Sequence, residues 1–535
     1  MKNPSVMQHA FSLIPNVKKP RSLFDRSHGH KTTMDADWMV PLYAKNVAPG
    51  DSINLRHAVV LRLNSASIRP FMDNLHLDTF YFFVPYRLIW SNFQKFMGEQ
   101  ASPADSISYT IPQIVMPNVA SLGVPLMSLY DYFGVPTEAL SAGGGTTGLT
   151  INNLKGRAYN LIFNTWVKDQ NLQNAVTVDL GDGPDTFSNY SLLKRGKRYD
   201  YFTSCLPFLQ KGTAVTMSLG TSAQVKLPAA AAGDVAVLNN AGSPVKLGSA
   251  GTWVDITGTA GAAGNQLYAD LSTAVAPTIN SLRTSVSLQQ FLENDARGGT
   301  LYTNIVNQRW GVVSPDARLQ RPELLGISSD DVNIHAVPAT ASAAAPGNTI
   351  GSLGAYGDAK LMGHGFSKSF TEHGIVIGLF MVRADLTYAQ GLERDWSYRT
   401  RYDLPNPEFM HLGEEAVLLK ELQANVPDGT GALQKDSVWG YQERYGSERY
   451  SNSMVTGLMR PQATGSLAVW NLTENLGTGA SAPTLGSTFI LSNASAPLDR
   501  AIQVPSEPQF IVDVYFKEKW ARVMPMFSVP GLLKL

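Results

Sequence analysis

"SINLRHAVVLRL", residues 52–63, decides how this chain folds. Ile53, Leu55, Val59, Leu61 and Leu63 fall on one side of an extended backbone, and Asn54, Arg56 and Arg62 on the other. Side chains alternate across a strand with period two, so the stretch reads as a strand with one buried and one open face. A matching segment lies near the far end, where "FIVDVYFKEKW" (510–520) puts Phe510, Val512, Val514 and Phe516 on one face. Two others, "DTFYFFVPY" (78–86) and "HGIVIGLFMV" (373–382), are apolar on both faces and read as fully buried strands. The glycines of the second allow close backbone approach. The first and last strong strands stand at opposite ends of the chain. Pairing them takes the long-range connections of Greek-key and jelly-roll folds.

Helical patterns are few. "RLIWSNFQKFMG" spaces Ile89, Phe93, Phe96 and Met97 on one helical stripe and ends at Gly98. "YNLIFNTW" does the same with Tyr159, Ile162, Phe163 and Trp166. "SLQQFLENDARGG" opens on the Ser287/Gln290 capping-box spacing and stops at Gly298–Gly299. These stripes read as packed core, not as ligand boxes. Segments 213–280, 338–357 and 476–487 are rich in Ala, Gly, Ser and Thr. Within the first, Val235, Val237, Val245, Leu247, Trp253 and Ile256 are spaced like short strands between turns, which marks a folded insertion and not a disordered tether.

The totals narrow the function. Of 535 residues, 16% are charged and 10% aromatic, against 46 glycines and 31 prolines. That is fewer charges than the usual ~25%, and interface cores are depleted in charge. Lys+Arg and Asp+Glu balance at 43 each, whereas a protein that coats nucleic acid alone carries a basic excess. Contact with DNA or RNA then needs local basic patches or a separate basic partner. Cys205 is the single cysteine, which rules out an intrachain disulfide and a multi-cysteine zinc site. The N-terminal stretch lacks the apolar core of a signal peptide. The longest apolar run, Gly374–Val382, is too short for a membrane helix, which needs ~20 residues.

Catalytic signals are weak. "GGGTTG" (143–148) fits a dinucleotide-type glycine pattern, but Pro136 precedes it and no βαβ series follows. It reads as a surface loop. His28 and His30 lie beside Arg26 and Lys31, cations that disfavour metal, and read as turn or interface histidines. Glu414 and Glu415 read as a solvated helix start. No catalytic residue, metal ligand or cofactor is expected.

Two basic clusters stand out. Lys18, Lys19, Arg21, Arg26 and Lys31 form one; Lys194, Arg195, Lys197 and Arg198 beside Tyr199 form the other. Cations next to rings suit single-stranded nucleic acid, with charge for phosphates and ring faces for bases. "YQERYGSERY" alternates rings with both charge signs, which marks Tyr441, Arg444, Tyr445, Arg449 and Tyr450 as candidates for a subunit interface. The rival class is a carbohydrate-binding adhesin or glycosidase-like β protein, opposed by the lack of a signal peptide and of a convincing carboxylate pair.

Longer stretches carry a resemblance. "RSLFDRSHGHKTT" (21–33), "MDNLHLDTFYFFVPYRLIW" (72–90), "GRAYNLIFNTWVKDQNLQ" (156–173), "KRGKRYDYFTSCLPFLQKG" (194–212), "SFTEHGIVIGLFMVRADLTYAQGL" (369–392) and "MPMFSVPGL" (524–532) resemble the Microviridae major capsid protein, closest to its gokushovirus branch. The resemblance implies an all-β chain with few helices: an eight-stranded antiparallel jelly roll with large loop insertions, forming a single domain over 1–535. It implies an extended N-terminal arm (about 1–45) and a surface insertion at 213–280 that protrudes. It further implies a T=1 shell around a circular single-stranded DNA genome, made in the bacterial cytoplasm. The expected partners are copies of the chain itself, the DNA, a small basic DNA-binding virion protein, pilot and scaffolding proteins, and a host surface receptor, with carbohydrate as the candidate class.

Overall fold

The computed structural model describes residues 20–117, 123–137, 148–216, 278–316, 318, 320–340, 350–427, 436–477 and 483–527, and the backbone of five short strands within 224–270. Eight strands build the barrel of the main unit, which spans residues 1–207 and 299–535. They are β1 (His28–Met34), β2 (Val40–Val47), β3 (Ser52–Leu63), β4 (Leu75–Pro85), β5 (Glu323–Pro338), β6 (Leu353–Ser369), β7 (Gly374–Ala384) and β8 (Phe510–Arg522).

Every pairing among them is antiparallel. One sheet runs β1–β8–β3–β6 and the other β2–β7–β4–β5. The long-range pairing expected from the alternating segments is present, with Ile53 opposite Trp520 and Leu61 opposite Val512. Consecutive strands β1 to β4 alternate between the sheets, as do β6 to β8, which is the jelly-roll order. Strands β5 and β6 join the layers. Residues Asn333–Pro338 pair with Leu353–Asp358 as a hairpin. Beyond it, β5 turns to β4 and β6 turns to β3. Further along β6, Gly365 lets the strand pass close to β3: its φ is +157°, and a Cβ there would lie 2.0 Å from the Leu55 carbonyl oxygen. Residues 22–47 supply β1, β2 and a short segment, Ser22–Asp25, that also lies along β8.

Alternation decides the core. Ile53, Leu55, Val59 and Leu61 of β3 and Phe510, Val512, Val514 and Phe516 of β8 meet Tyr81 and Phe83 of β4 and Val376, Phe380 and Val382 of β7 between the sheets. Each such side chain contributes about 1.5–3 kcal/mol through removal from water. The opposite face of β4 and β7 carries Phe82, Val84, Ile375, Ile377, Leu379 and Met381 into a second core. That core is closed by Trp90, Tyr130 and helix α1 (Leu154–Ile162), all within the β4–β5 connection. β7 is therefore buried on both faces, as its sequence required. A Cβ on Gly378 would come within 2.7 Å of the Tyr81 ring, so glycine is what lets β7 pass that ring. The β7–β8 connection helps build a third small core around Val417, Leu422 and Trp439.

Helical expectations fared unevenly. α1 covers Tyr159 and Ile162 of the Tyr159 stripe, and Phe163 and Trp166 fall in the π turn that follows at Phe163–Val167. The Ile89 stripe does not form one helix: a 3-10 turn (Tyr86–Leu88) and one short turn, Phe93–Phe96, flank the buried Ile89 and Trp90. The helix read from Ser287 begins earlier: α2 spans Ile279–Arg297, capped by Thr278, whose hydroxyl accepts the Ser281 N–H at 3.1 Å. α2 belongs to a separate compact unit, Phe208–Gly298. Within it, Val235–Leu238, Pro244–Ala250 and Trp253–Thr259 form a three-stranded antiparallel sheet, and Gln224–Lys226 pairs with Tyr268–Asp270. Helix α3 (Tyr302–Trp310) follows in the main unit and closes on Gly311 at φ +65°. Glu414 and Glu415 begin a strand, Glu414–Leu418, and not a helix, because Glu415 turns inward to pair with Arg394 and Arg444.

Candidate nucleic-acid interface

The structure separates the two sequence clusters into fixed and open cations. In the second cluster, Arg195 donates from Nη1 to Asp78 Oδ2 at 2.6 Å. Asp78 also accepts from Arg383 Nε at 2.9 Å and from Ser329 Oγ at 2.6 Å. Burial alone would push the Asp78 carboxyl up, but the hydrogen bonds from Ser329 and Arg195 and the two guanidinium charges carry it below the usual range. The Lys197 side chain is 3% exposed, and its ammonium donates to Glu474 Oε2 at 2.6 Å and sits 4.3 Å over the Phe489 ring. Lys194 lies 5.1 Å over Trp38, where the two residues form an isolated bridge. Only Arg198 and Tyr199 of this group are exposed, and the Tyr199 hydroxyl donates to Asp169 at 3.1 Å. The charges of Arg195 and Lys197 are already neutralised inside the fold.

In the first cluster, Lys18 and Lys19 lie outside the described residues. Arg21 is exposed and donates to Ser52 Oγ at 2.6 Å. The Arg26 guanidinium stacks 4.1 Å over Trp520, so it caps the barrel interior. Lys31 is exposed on β1, 3.8 Å from Asp513. The neighbouring histidines sit in a strand, not in a turn. His28 Nδ1 lies 3.1 Å from the buried Glu518 carboxylate, and His30 Nδ1 lies 3.0 Å from the Leu42 carbonyl oxygen.

The "YQERYGSERY" residues divide the same way. Tyr441 exchanges backbone hydrogen bonds with Leu206. Arg444 pairs with Glu415 at 2.7 Å and lies 4.8 Å over the Tyr445 ring. Tyr445 is buried, and its hydroxyl accepts the Asn406 N–H at 3.1 Å. Arg449 pairs with Glu443 and keeps part of its side chain in solvent. Tyr450 is exposed, and with Arg449 it lines a cavity of about 340 Å³ beside Tyr388 and Arg394.

A third set of cations comes from alternation and not from clustering. Along β4 and β7 the β2–β7–β4–β5 sheet is covered on its outer side by the second core, but the outer side of β1–β8–β3–β6 is open along β8 and over much of β3 and β6. Lys31, Arg56, Arg62, Lys360, Lys517 and Lys519 stand on it, with Asp25, Asp358 and Asp513 as its acids. Arg56 and Arg62 were visible as the polar side of residues 52–63. Lys517 and Lys519 escaped notice because isolated lysines in a strand form no linear cluster.

No group of three or more His, Cys, Asp or Glu side chains able to hold a metal occurs among the described residues. The Cys205 thiol is buried, burial pushes its pKa up, and it donates to the Tyr201 carbonyl, so it is held as an inert core group. "GGGTTG" lies almost wholly outside the described residues. No helix among the described residues is long and apolar enough to cross a membrane.

A jelly-roll barrel whose buried charges are paired within the fold has the architecture of a coat protein of the viral type. The chain belongs to the capsid protein (F protein) family, whose pattern matches residues 12–532. It is 41% identical to capsid protein VP1 of Bdellovibrio phage phiMH2K, over 98% of both chains. It is 38% identical to capsid protein VP1 of Chlamydia phage 1, over 100% of this chain and 99% of that one. With capsid protein VP1 of Spiroplasma virus 4 the identity is 31%, over 98% of both. These are Microviridae proteins of the gokushovirus type, and they are structural components of a virion, not enzymes.

Proposed function

We propose that this capsid protein closes into a T=1 icosahedral shell around a circular single-stranded DNA phage genome. The observation that carries the reading is the apolar surface the main unit leaves in solvent: Trp310 is 65% exposed, Val313 81%, Trp396 74% and Leu412 65%. A lone soluble chain gains nothing from such groups, whereas symmetric contacts between copies bury them. The zero net charge fits a shell whose DNA is neutralised by a small basic virion protein. Pilot and scaffolding proteins complete the expected partners. Of the two sequence clusters, Arg21, Lys31, Arg198 and Tyr199 are the described members open to DNA. Arg449 and Tyr450 are the open members of the interface set.

The separate unit at 208–298 contains the low-charge insertion, which in this reading protrudes from the shell and meets a host receptor, with carbohydrate as the candidate class. Long insertions at a solvent-facing site cost little closure entropy. Electron microscopy of the expressed protein tests the shell: closed particles of one size support it, and a monodisperse monomer overturns it. Deleting 214–279 is expected to leave particles that assemble and adsorb poorly; normal adsorption overturns the attachment role.

A further inference from the structure

We infer that the open face of the β1–β8–β3–β6 sheet binds the packaged single-stranded DNA, with Arg56, Lys517 and Lys519 holding phosphates and Tyr515 stacking on a base; this rests on the genome-enclosing shell proposed above. The strand register sets the patch. Lys517 stands directly opposite Arg56, and Lys519 opposite Asn54 one pair further along. Tyr515 stands opposite Ala58 on the same face, with half its surface in solvent. Three cations and one ring therefore share a continuous surface across two central strands.

Like charges placed directly opposite in a sheet destabilise it. Lys517 and Arg56 are such a pair, and no described carboxylate forms an ion pair with Arg56, Arg62, Lys517 or Lys519. The acids of the face do not cancel the patch. Asp513 lies 3.8 Å from Lys31 and Asp358 3.9 Å from Lys360, both loose contacts. Asp25, opposite Lys519, is held low first by hydrogen bonds from Ser27 and then by the charges of Lys519 and Lys517. One carboxylate faces three cations. A polyanion laid across the strands relieves that repulsion, and an exposed ring beside the cations is the arrangement that holds single strands.

The same chain shows what it does with cations it uses for folding: Arg157, Arg195, Lys197 and Arg383 are each paired and largely buried. Arg56, Lys517 and Lys519 have neither property. A second copy of the chain is the poorer occupant, because the centres of protein–protein interfaces are depleted in lysine.

The test uses full-length capsid protein and a fluorescent oligo(dT), titrated with salt. In Arg56→Gln/Lys517→Gln/Lys519→Gln the slope of log affinity against log salt is expected to shrink by about 2, since each lost single-strand phosphate contact removes ~0.7. Tyr515→Ala is expected to weaken binding about tenfold, with Tyr515→Phe restoring it. Arg399→Gln/Arg401→Gln, on another surface, keeps the wild-type slope. A wild-type slope in the triple variant, or Tyr515→Ala binding like wild type, overturns the inference. Sedimentation of particles separates the two readings. Triple-variant shells that form with normal DNA content overturn this inference alone, and wild-type protein that forms no shells overturns the shell reading.

Discussion

The two sheets of the barrel use the same strand geometry to opposite ends. Along β4 and β7 of the β2–β7–β4–β5 sheet both faces are dry, and the charges that enter are paired: Arg383 and Arg195 converge on Asp78, and Arg157 beneath the sheet's outer core meets Asp185. In β1–β8–β3–β6 one face is dry and the other carries unpaired cations in register. Where a charge is buried, its partner is supplied by the fold. Where it is left out, the partner must come from outside. The difference separates residues that make the subunit from residues that make the particle work.

Breaking the buried side of the comparison should have the largest effect. Arg157 Nη2 lies 2.5 Å from Asp185 Oδ1, and both side chains are essentially inaccessible to solvent. Asp185→Ala leaves a buried, uncompensated guanidinium. It is expected to cost about 3–5 kcal/mol in chemical denaturation of the subunit; a loss under 1 kcal/mol would show that the pair is not desolvated in solution.

Ile377 on doubly buried β7 comes next. Ile377→Ala is expected to cost about 2–5 kcal/mol through lost transfer energy and the cavity left behind.

A pH effect of similar size belongs between the sheets. His57 is 2% exposed, its Nδ1 lies 2.9 Å from the Tyr81 hydroxyl, and burial followed by the charge of His364 lowers its pKa from 6.5 to about 4. The unfolded chain binds the proton more readily, so stability falls as pH drops from about 6.5 towards 4, by about 3 kcal/mol in all. His57→Gln is expected to flatten that part of the profile, read as the denaturant midpoint at pH 7 and pH 4.5. An unchanged slope would place the effect elsewhere.

The smallest effect tests the open side. Ile511 is 47% exposed on the outer face of β8, and Ile511→Ala is expected to shift stability by about 0.5 kcal/mol or less. A cost matching that of Ile377→Ala would mean the face is covered within the subunit itself.

How much of this was legible in the sequence follows from the physics of alternation. A strand with one wet face writes its burial into every second residue, so residues 52–63 and 510–520 gave away both their structure and their partnership. A strand dry on both faces writes only hydrophobicity, so β7 was legible as buried, but its two different cores were not. Local stripes located α1. They failed around Trp90, where the chain folds into two short turns and not one helix. The basic cluster at 194–198 looked like a binding site because linear density is all a sequence shows. Asp78, which neutralises Arg195, lies on β4, and Glu474, which neutralises Lys197, lies in the β7–β8 connection, so nothing local announces them. The cations of the open face were dispersed over β3 and β8 and came together only through register.

The most direct measurement is a cryo-electron microscopy reconstruction of the assembled, DNA-filled particle. The account predicts that the β1–β8–β3–β6 face turns toward the interior, with nucleic-acid density against Arg56, Tyr515, Lys517 and Lys519. That face turned to the outside of the shell, or sealed beneath a neighbouring copy, would contradict it.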